Sequence, residues 1–220
     1  MLKIERTVLP SPEQWGIIIE GMRNPMNSWH LSDSYATHIE NPETMNTADF
    51  EFFLGEADQR LMHNLAKGGS THAKFRRMIP VFVTLTAPLY WWKEFDTYKV
   101  GVVTNSCSTM HKIHAKEFVM ADFSHEKRSL AARTVLRLTI DELNANRMVF
   151  NATQDKDAWN NMIQLLPSSF NQKRTVLLNY EVLAGIYATR KNHKLTEWHT
   201  FCDWIETLPY AEGIIYGTEN

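Results

Sequence analysis

Residues 86–113 read TAPLYWWKEFDTYKVGVVTNSCSTMHKI, and the reading of this stretch decides the fold. Pro88 suits the first turn of a helix, where a missing backbone N–H is no loss. Leu89, Trp92 and Phe95 follow at helical spacing with Tyr90 and Trp91 beside them, which predicts a short, heavily aromatic helix. Lys93, Glu94, Asp96 and Lys99 crowd in where that helix should end. Residues 98–103, with Gly101 inside them, read as a strand. The polar cluster 104–109 then reads as a loop whose hydroxyls and amide can bind anions or polar ring edges. On these features alone the stretch is a capped helix, an edge strand and a turn.

Working outward, residues 76–85 read as a strand with apolar groups on both faces, so buried on both sides, and Pro80 points to an edge or a bulge. Upstream, a cap at Asn46 or Thr47 opens a helix with Phe50, Phe53, Leu54, Ala57, Leu61 and Leu65 on one stripe, stopped by Gly68-Gly69. Residues 23–45, rich in Asn, Ser, Asp and Pro, read as a long loop in which Arg23, Ser28, His30 and Ser34 can reach a ligand. A helix over 13–22 capped by Ser11 and a strand over 1–11 complete the N-terminal part. Downstream, Ser124 caps a long helix over 125–147 with Leu130, Thr134, Leu138 and Leu143 near one face, and a second helix covers 155–166. Residues 174–190 read as a further helix, with Val176, Leu183 and Tyr187 apolar and Arg190 in its last turn.

The composition is ordinary for a globular chain: of 220 residues 44% are hydrophobic and 22% charged. A formal net charge of −2 argues against a surface built for nucleic acid polymers. Cys107 and Cys202 form neither a disulfide framework nor a zinc pattern, and no metal site is expected. The N-terminus is too polar for a signal peptide and no apolar run reaches membrane-spanning length, so a cytoplasmic protein with no membrane contact is expected. No repeat or linker divides the chain, and residues 1–220 are taken as one domain.

Two sets of residues resemble the flavin-dependent thymidylate synthases. In that family an Ala-Pro leads into an aromatic helix, then Arg-Gln-Trp-x-Arg-His-Arg, then a loop Asn-x-x-Ser-x-Arg-Tyr. Here Lys93-Glu94-Phe95 stands for Arg-Gln-Trp and Thr97-Tyr98-Lys99 for Arg-His-Arg, while Asn105 and Ser108 keep the loop spacing. The loop's arginine falls on Met110, followed by His111 and Lys112. The second set is Leu166-Pro167, Asn179 and Arg190 at the family's intervals, followed by His193 and Glu197. The family's other substrate arginine falls on Ile163. A flavin-holding Thr-Ser-Pro-Phe-Glu-His stretch corresponds to residues 70–75 onward, where Phe75 matches and His72 stands nearby.

The resemblance implies an α+β fold, a mixed or antiparallel sheet packed with long helices, of the thymidylate synthase complementing protein type. It implies methylation of dUMP at carbon 5 to dTMP, with FAD as cofactor, methylenetetrahydrofolate as carbon donor and NADPH as reductant, in a homotetramer. Arg190, Ser108 and Cys107 are then the catalytic candidates, and His72, Thr97, Tyr98, Lys99, Ser106, Asn179 and Glu181 the cofactor-binding ones. Glu94, Asn105, Ser108, Thr109, His111 and Arg190 are the substrate-binding ones. Arg190 suits polarisation of the pyrimidine's amide edge, because a guanidinium keeps its charge. Lys74, Arg76, Arg77 or Lys112 can offset the arginines the motif has lost. Cys107, with His111 and Lys112 following, can add as a thiolate to the ring. The alternatives are another modification of the same carbon, such as hydroxymethylation, and a nucleotide-binding protein without catalysis.

Overall fold

The computed structural model describes residues 1–39 and 49–216. The chain forms two compact units, one of Met1–Arg6, Thr84–Lys99 and Thr104–Val176, the other of Thr7–Val83, Val100–Val103 and Leu177–Asn220. Six strands are described: β1 (Lys3–Val8), β2 (Tyr35–Ile39), β3 (Asp49–Phe53), β4 (Pro80–Pro88), β5 (Val103–Ser106) and β6 (Asn171–Asn179). The α-helices are α1 (Pro12–Arg23), α2 (Glu56–Lys67), α3 (Leu89–Phe95), α4 (Leu130–Thr153), α5 (Lys156–Leu165), α6 (Tyr180–Arg190), α7 (Thr196–Glu206) and α8 (Ala211–Ile214). A four-stranded antiparallel sheet has the strand order β1-β4-β6-β5. The architecture is α+β, with an antiparallel sheet and long helices, as the resemblance implied.

In the first unit, α3 buries Trp91, Trp92 and Phe95, whose rings meet at centroid distances of 4.9–5.3 Å. Pro88 is the N-cap of α3 and the last residue of β4, one step earlier than expected. The Trp92 indole N–H donates to the Gln172 carbonyl at 3.0 Å, which ties the helix to β6. A separate cluster packs Leu136, Ile140 and Leu143 of α4 on Met162 of α5, with Phe118 and Phe123. Leu130 and Leu138, expected on that face, are 82% and 64% exposed. The error is one of phase, since Leu recurs on two sides of this helix. Ser129, not Ser124, caps α4. The Ser124 hydroxyl is already committed, donating to Asn171 and accepting from the Met1 ammonium.

Residues 174–179, expected as the start of a helix, are the second half of β6. Gln172, Val176 and Leu178 are buried at even spacing, the mark of a strand. Residues 98–101 are a turn rather than a strand, because Gly101 takes φ +79, a left-handed conformation that breaks the extended run. The strand β5 therefore starts at Val103 and takes in Thr104, Asn105 and Ser106, which were expected in a loop.

In the second unit, Ser11 and Gln14 form a reciprocal capping box at the start of α1, whose Trp15, Ile18, Ile19 and Met22 are buried. The residues Asp49–Phe53, expected within a helix, form β3 and pair antiparallel with β2, Tyr35 opposite Phe53. Their apolar spacing fits period 2 as well as period 3.6, and the pairing with β2 decides it. Helix α2 accordingly begins at Glu56 and buries Asp58, Met62 and Ala66 in place of the expected stripe. The cap expected at Asn46 or Thr47 lies outside the described residues. The strand expected from Arg76 begins at Pro80, after a 3-10 turn over Lys74–Met78. Pro80 sits at its first position, where no ladder N–H is missed, so β4 lies inside the sheet and not at an edge.

Arg23, expected to reach a ligand, is instead a core charge. It is 3% exposed and ion-paired with Asp58, itself 0% exposed. Asp58 also accepts from the Ser32 and Ser34 hydroxyls and from the N–H groups of Asp33 and Ser34. Ser28 accepts from Arg23, and His30 is exposed.

Candidate functional site

The residues picked from the sequence divide between the two units. The first holds Glu94, Thr97, Tyr98, Lys99, Asn105, Ser106, Cys107, Ser108, Thr109 and His111; the second holds His72, Asn179, Glu181 and Arg190.

In the first unit the end of α3 and the end of β5 are joined by one chain of polar contacts. The Arg174 guanidinium lies 4.2 Å over the Trp92 ring, donates to Asp96 at 2.6 Å and donates to the Gln172 side-chain oxygen at 3.0 Å. Gln172 then donates to the Cys107 carbonyl at 2.8 Å. The Cys107 N–H donates to Lys173 at 3.0 Å, so strand-like pairing persists to this residue while its thiol stays exposed. Beyond it the Ser108 hydroxyl oxygen accepts from the N–H groups of Met110 and His111, closing a tight turn. The Trp159 indole fixes the Met110 carbonyl at 3.2 Å. Asn105, Ser106 and Ser108 are thus exposed on a braced segment. The Thr97 hydroxyl donates to the Glu94 carbonyl, which spends it on ending α3. Lys99 is exposed.

Arg174 escaped the sequence reading because residues 174–190 looked helical, and Gln172 because it fell between the expected elements. Their i, i+2 spacing on a strand was the signal that could have found them.

In the second unit a cavity of about 460 Å³ is bounded by one face of α6, the end of α2 and the turn before β4. Glu181, Ala184, Gly185 and Ala188 supply the α6 face, and nothing lies within 4 Å of where a Cβ would stand on Gly185, so the floor is open there. Arg76 enters from the turn; it is 6% exposed and sits 3.6 Å from Glu181. Its Nε is buried with no acceptor among the described residues. Burial pushes the Arg76 pKa down and the Glu181 carboxylate partly restores it. Lys67 and Lys191 add charge at the rim. Tyr187 and Tyr216 stack at 5.2 Å along one side. A hydrogen bond to Glu206 raises the pKa of the Tyr187 phenol, so it remains protonated.

Asn179 and Arg190 stand at the two ends of α6. The Asn179 side chain caps the helix by accepting from the Val182 N–H at 3.1 Å. Gly101 makes that close: a Cβ there would stand 3.1 Å from the Asn179 amide nitrogen. Arg190 lies 4.8 Å over the Trp198 ring. At about 100° per residue it projects from the side of α6 opposite Glu181, so the cavity brings Glu181 and Arg76 together but not Arg190. His72 is exposed beside Gly68 and does not line the cavity.

No family model matches the chain, and no curated protein matches it in sequence. Solved structures do match in shape. Thymidylate synthase X of Helicobacter pylori, solved with FAD and dUMP, superposes with a TM-score of 0.68 at 12% identity, covering 99% of this chain and 97% of that one. A second structure of the flavin-dependent enzyme from the same organism, also with FAD and dUMP, gives 0.63 at 12% identity over 98% and 97%. The fold is that of flavin-dependent thymidylate synthase. Among the described residues no helix is long and apolar enough to cross a membrane, and no cluster of His, Cys, Asp and Glu could hold a metal ion.

Proposed function

We propose that this protein is a flavin-dependent enzyme that modifies a pyrimidine nucleotide, dUMP, at carbon 5, acting as one domain within a cytoplasmic homotetramer. One observation carries the reading: the thymidylate synthase X fold is kept along 99% of the chain. Within it, Asn179 is the N-cap of α6 and Arg190 its last residue.

The cavity beside α6 suits FAD. Arg76 offers a buried N–H in need of an acceptor, the two lysines offer charge for phosphates, and the tyrosine pair offers a stacking face. Glu181 can accept from an N–H of the ring system. Tyr98 and Lys99, in the other unit, are the ring and cation that stand where the family has Arg-His-Arg. A bound flavin would supply the redox capacity of the reaction.

The remaining chemistry belongs to the chain. The braced segment at Asn105, Ser106, Ser108 and Thr109 presents amide and hydroxyl donors for the nucleotide, with His111 and Lys112 adding charge. The Arg190 guanidinium, fixed by its packing on Trp198, stabilises negative charge on the amide edge of the pyrimidine, which makes carbon 5 more nucleophilic. The one-carbon unit is methylenetetrahydrofolate's and the reductant NADPH, giving dTMP. The replacement of motif arginines by Thr97, Met110 and Ile163 favours a second reading, another one-carbon modification of the same carbon. Product analysis with dUMP, methylenetetrahydrofolate and NADPH tests the proposal: dTMP is expected, 5-hydroxymethyl-dUMP supports the second reading, and unchanged dUMP with a fully flavin-loaded protein refutes both.

A further inference from the structure

A second cavity, of about 670 Å³, opens in the same unit between α2 and the chain around α8. One wall is a stripe of α2. Arg60, His63, Asn64 and Lys67 follow at i, i+3, i+4 and i+7, so they share one helix face that runs for about 10 Å along the axis. His63 is half-buried and seated against α8, where Gly213 leaves it room: a Cβ on that glycine would fall inside the imidazole. Among the described residues no hydrogen bond or ion pair engages these four side chains. Two full charges, an imidazole and an amide thus line the cavity with their donors unspent.

The opposite wall has the other sign. Glu206 and Glu212 line it together with Tyr216. Burial, and then the nearness of both carboxylates, pushes the Tyr216 phenol up, so the two acids stand close to one ring. Glu206 accepts from the Tyr187 hydroxyl through one oxygen, which leaves the second. Glu212 is exposed, with neither oxygen engaged among the described residues. No ion pair joins the two walls among those residues, so their charges face each other across a gap.

We propose that this cavity binds a sugar phosphate, free or as the ribose phosphate of a ribonucleotide, with the phosphate on the α2 stripe and the hydroxyls on the acidic wall. A phosphate brings about two charges and three acceptor oxygens, which suits several cationic and amide donors on one face better than the single charge of a carboxylate. Ionised carboxylates only accept, so the far end of the ligand must donate. Two separate acceptors suit two adjacent hydroxyls, whereas one ammonium would leave a carboxylate unmatched. The volume lies within the roughly 300–1,000 Å³ of small-molecule sites. The site goes beyond the flavin reading and does not depend on it, although Lys67 and Tyr216 line both cavities.

Equilibrium dialysis of the full chain against ribose 5-phosphate, 2-deoxyribose 5-phosphate, AMP, dAMP and inorganic phosphate tests it. Saturable binding of ribose 5-phosphate or AMP is expected, at least about tenfold tighter than that of the matching deoxy compound or of inorganic phosphate. Ribose 5-phosphate binding identifies the sugar phosphate itself, and AMP binding alone a ribonucleotide. Arg60→Ala should weaken every one of these ligands at least about tenfold. Glu212→Ala should weaken the two ribose ligands and narrow their advantage over the deoxy forms. Both residues are exposed, so the melting curve should hold in either variant. Failure of both ribose 5-phosphate and AMP to bind overturns the proposal, as does equal binding of the deoxy compounds or of inorganic phosphate, or binding that either variant leaves unchanged. Binding removed by Arg76→Met but not by Arg60→Ala would place the ligand in the cavity beside α6 and overturn it as well.

Discussion

Replacing Asp58 by alanine should unfold the second unit well before the rest of its packing is challenged. The carboxylate is fully buried and accepts from Arg23, both serine hydroxyls and two backbone N–H groups. Removing it strands the Arg23 guanidinium without a counter-charge, which costs about 3–5 kcal/mol for a buried pair. The serine hydroxyls can turn elsewhere and add little. For a chain of this size each kcal/mol moves the melting temperature by about 2–4 °C, so a fall of about 6–20 °C is expected by calorimetry. Arg23→Met with Asp58→Leu should regain most of that loss, because neither charge is then left alone. Burial works against the Asp58 charge, but the hydrogen bonds from Ser34, Ser32 and Arg23 outweigh it and hold its pKa below the ordinary carboxylate range. Between that lowered value and the unfolded value near about 3.9, the unfolded chain binds a proton that the native one does not. Stability from Asp58 is therefore complete above about pH 4 and lost as pH falls through the native pKa, and Asp58→Ala should lack this acid limb. A loss under about 1 kcal/mol, or no gain in the double variant, would refute the reasoning.

Arg190→Ala should lower turnover at least about tenfold, roughly 1.4 kcal/mol, with the melting curve nearly unchanged; activity within about threefold of the parent protein removes its assignment. Arg76→Met should raise the dissociation constant for FAD at least about tenfold while Glu181 gains a neutral neighbour, and equal flavin affinity in a fluorescence titration would take Arg76 out of the site. Cys107 is exposed, whereas burial pushes the Cys202 thiol up to about 11, so iodoacetamide at pH 8 should label Cys107 first and Cys202 only on unfolding. If Cys107 adds to the ring, dUMP protects it from labelling and Cys107→Ser abolishes turnover with binding intact; full activity in that variant leaves the thiol as filler.

Short-range chemistry was legible in the sequence. Ser11 announced the start of α1, Ala87-Pro88 the aromatic helix, and Arg190 the last turn of α6. Where two periods fitted the same residues, the sequence could not decide. Asp49–Phe53 and residues 174–179 read as helix and fold as strand, because partners distant in the chain supply their hydrogen bonds. Asp58 gave no signal at all, since its donors lie at residues 23 and 32–34. Arg174 was hidden for the same reason as the strand that carries it.

Flavin binding tests the central claim most directly. Titration of the purified protein with FAD should leave about one flavin per chain after gel filtration, shift its visible absorbance, and raise the melting temperature; saturation at a hundredfold above the dissociation constant corresponds to about 2.7 kcal/mol. Addition of dUMP should then perturb the bound flavin's spectrum, and Arg190→Ala should remove that second change but not the first. A protein that retains no flavin, and whose melting curve neither FAD nor dUMP moves, would contradict the account.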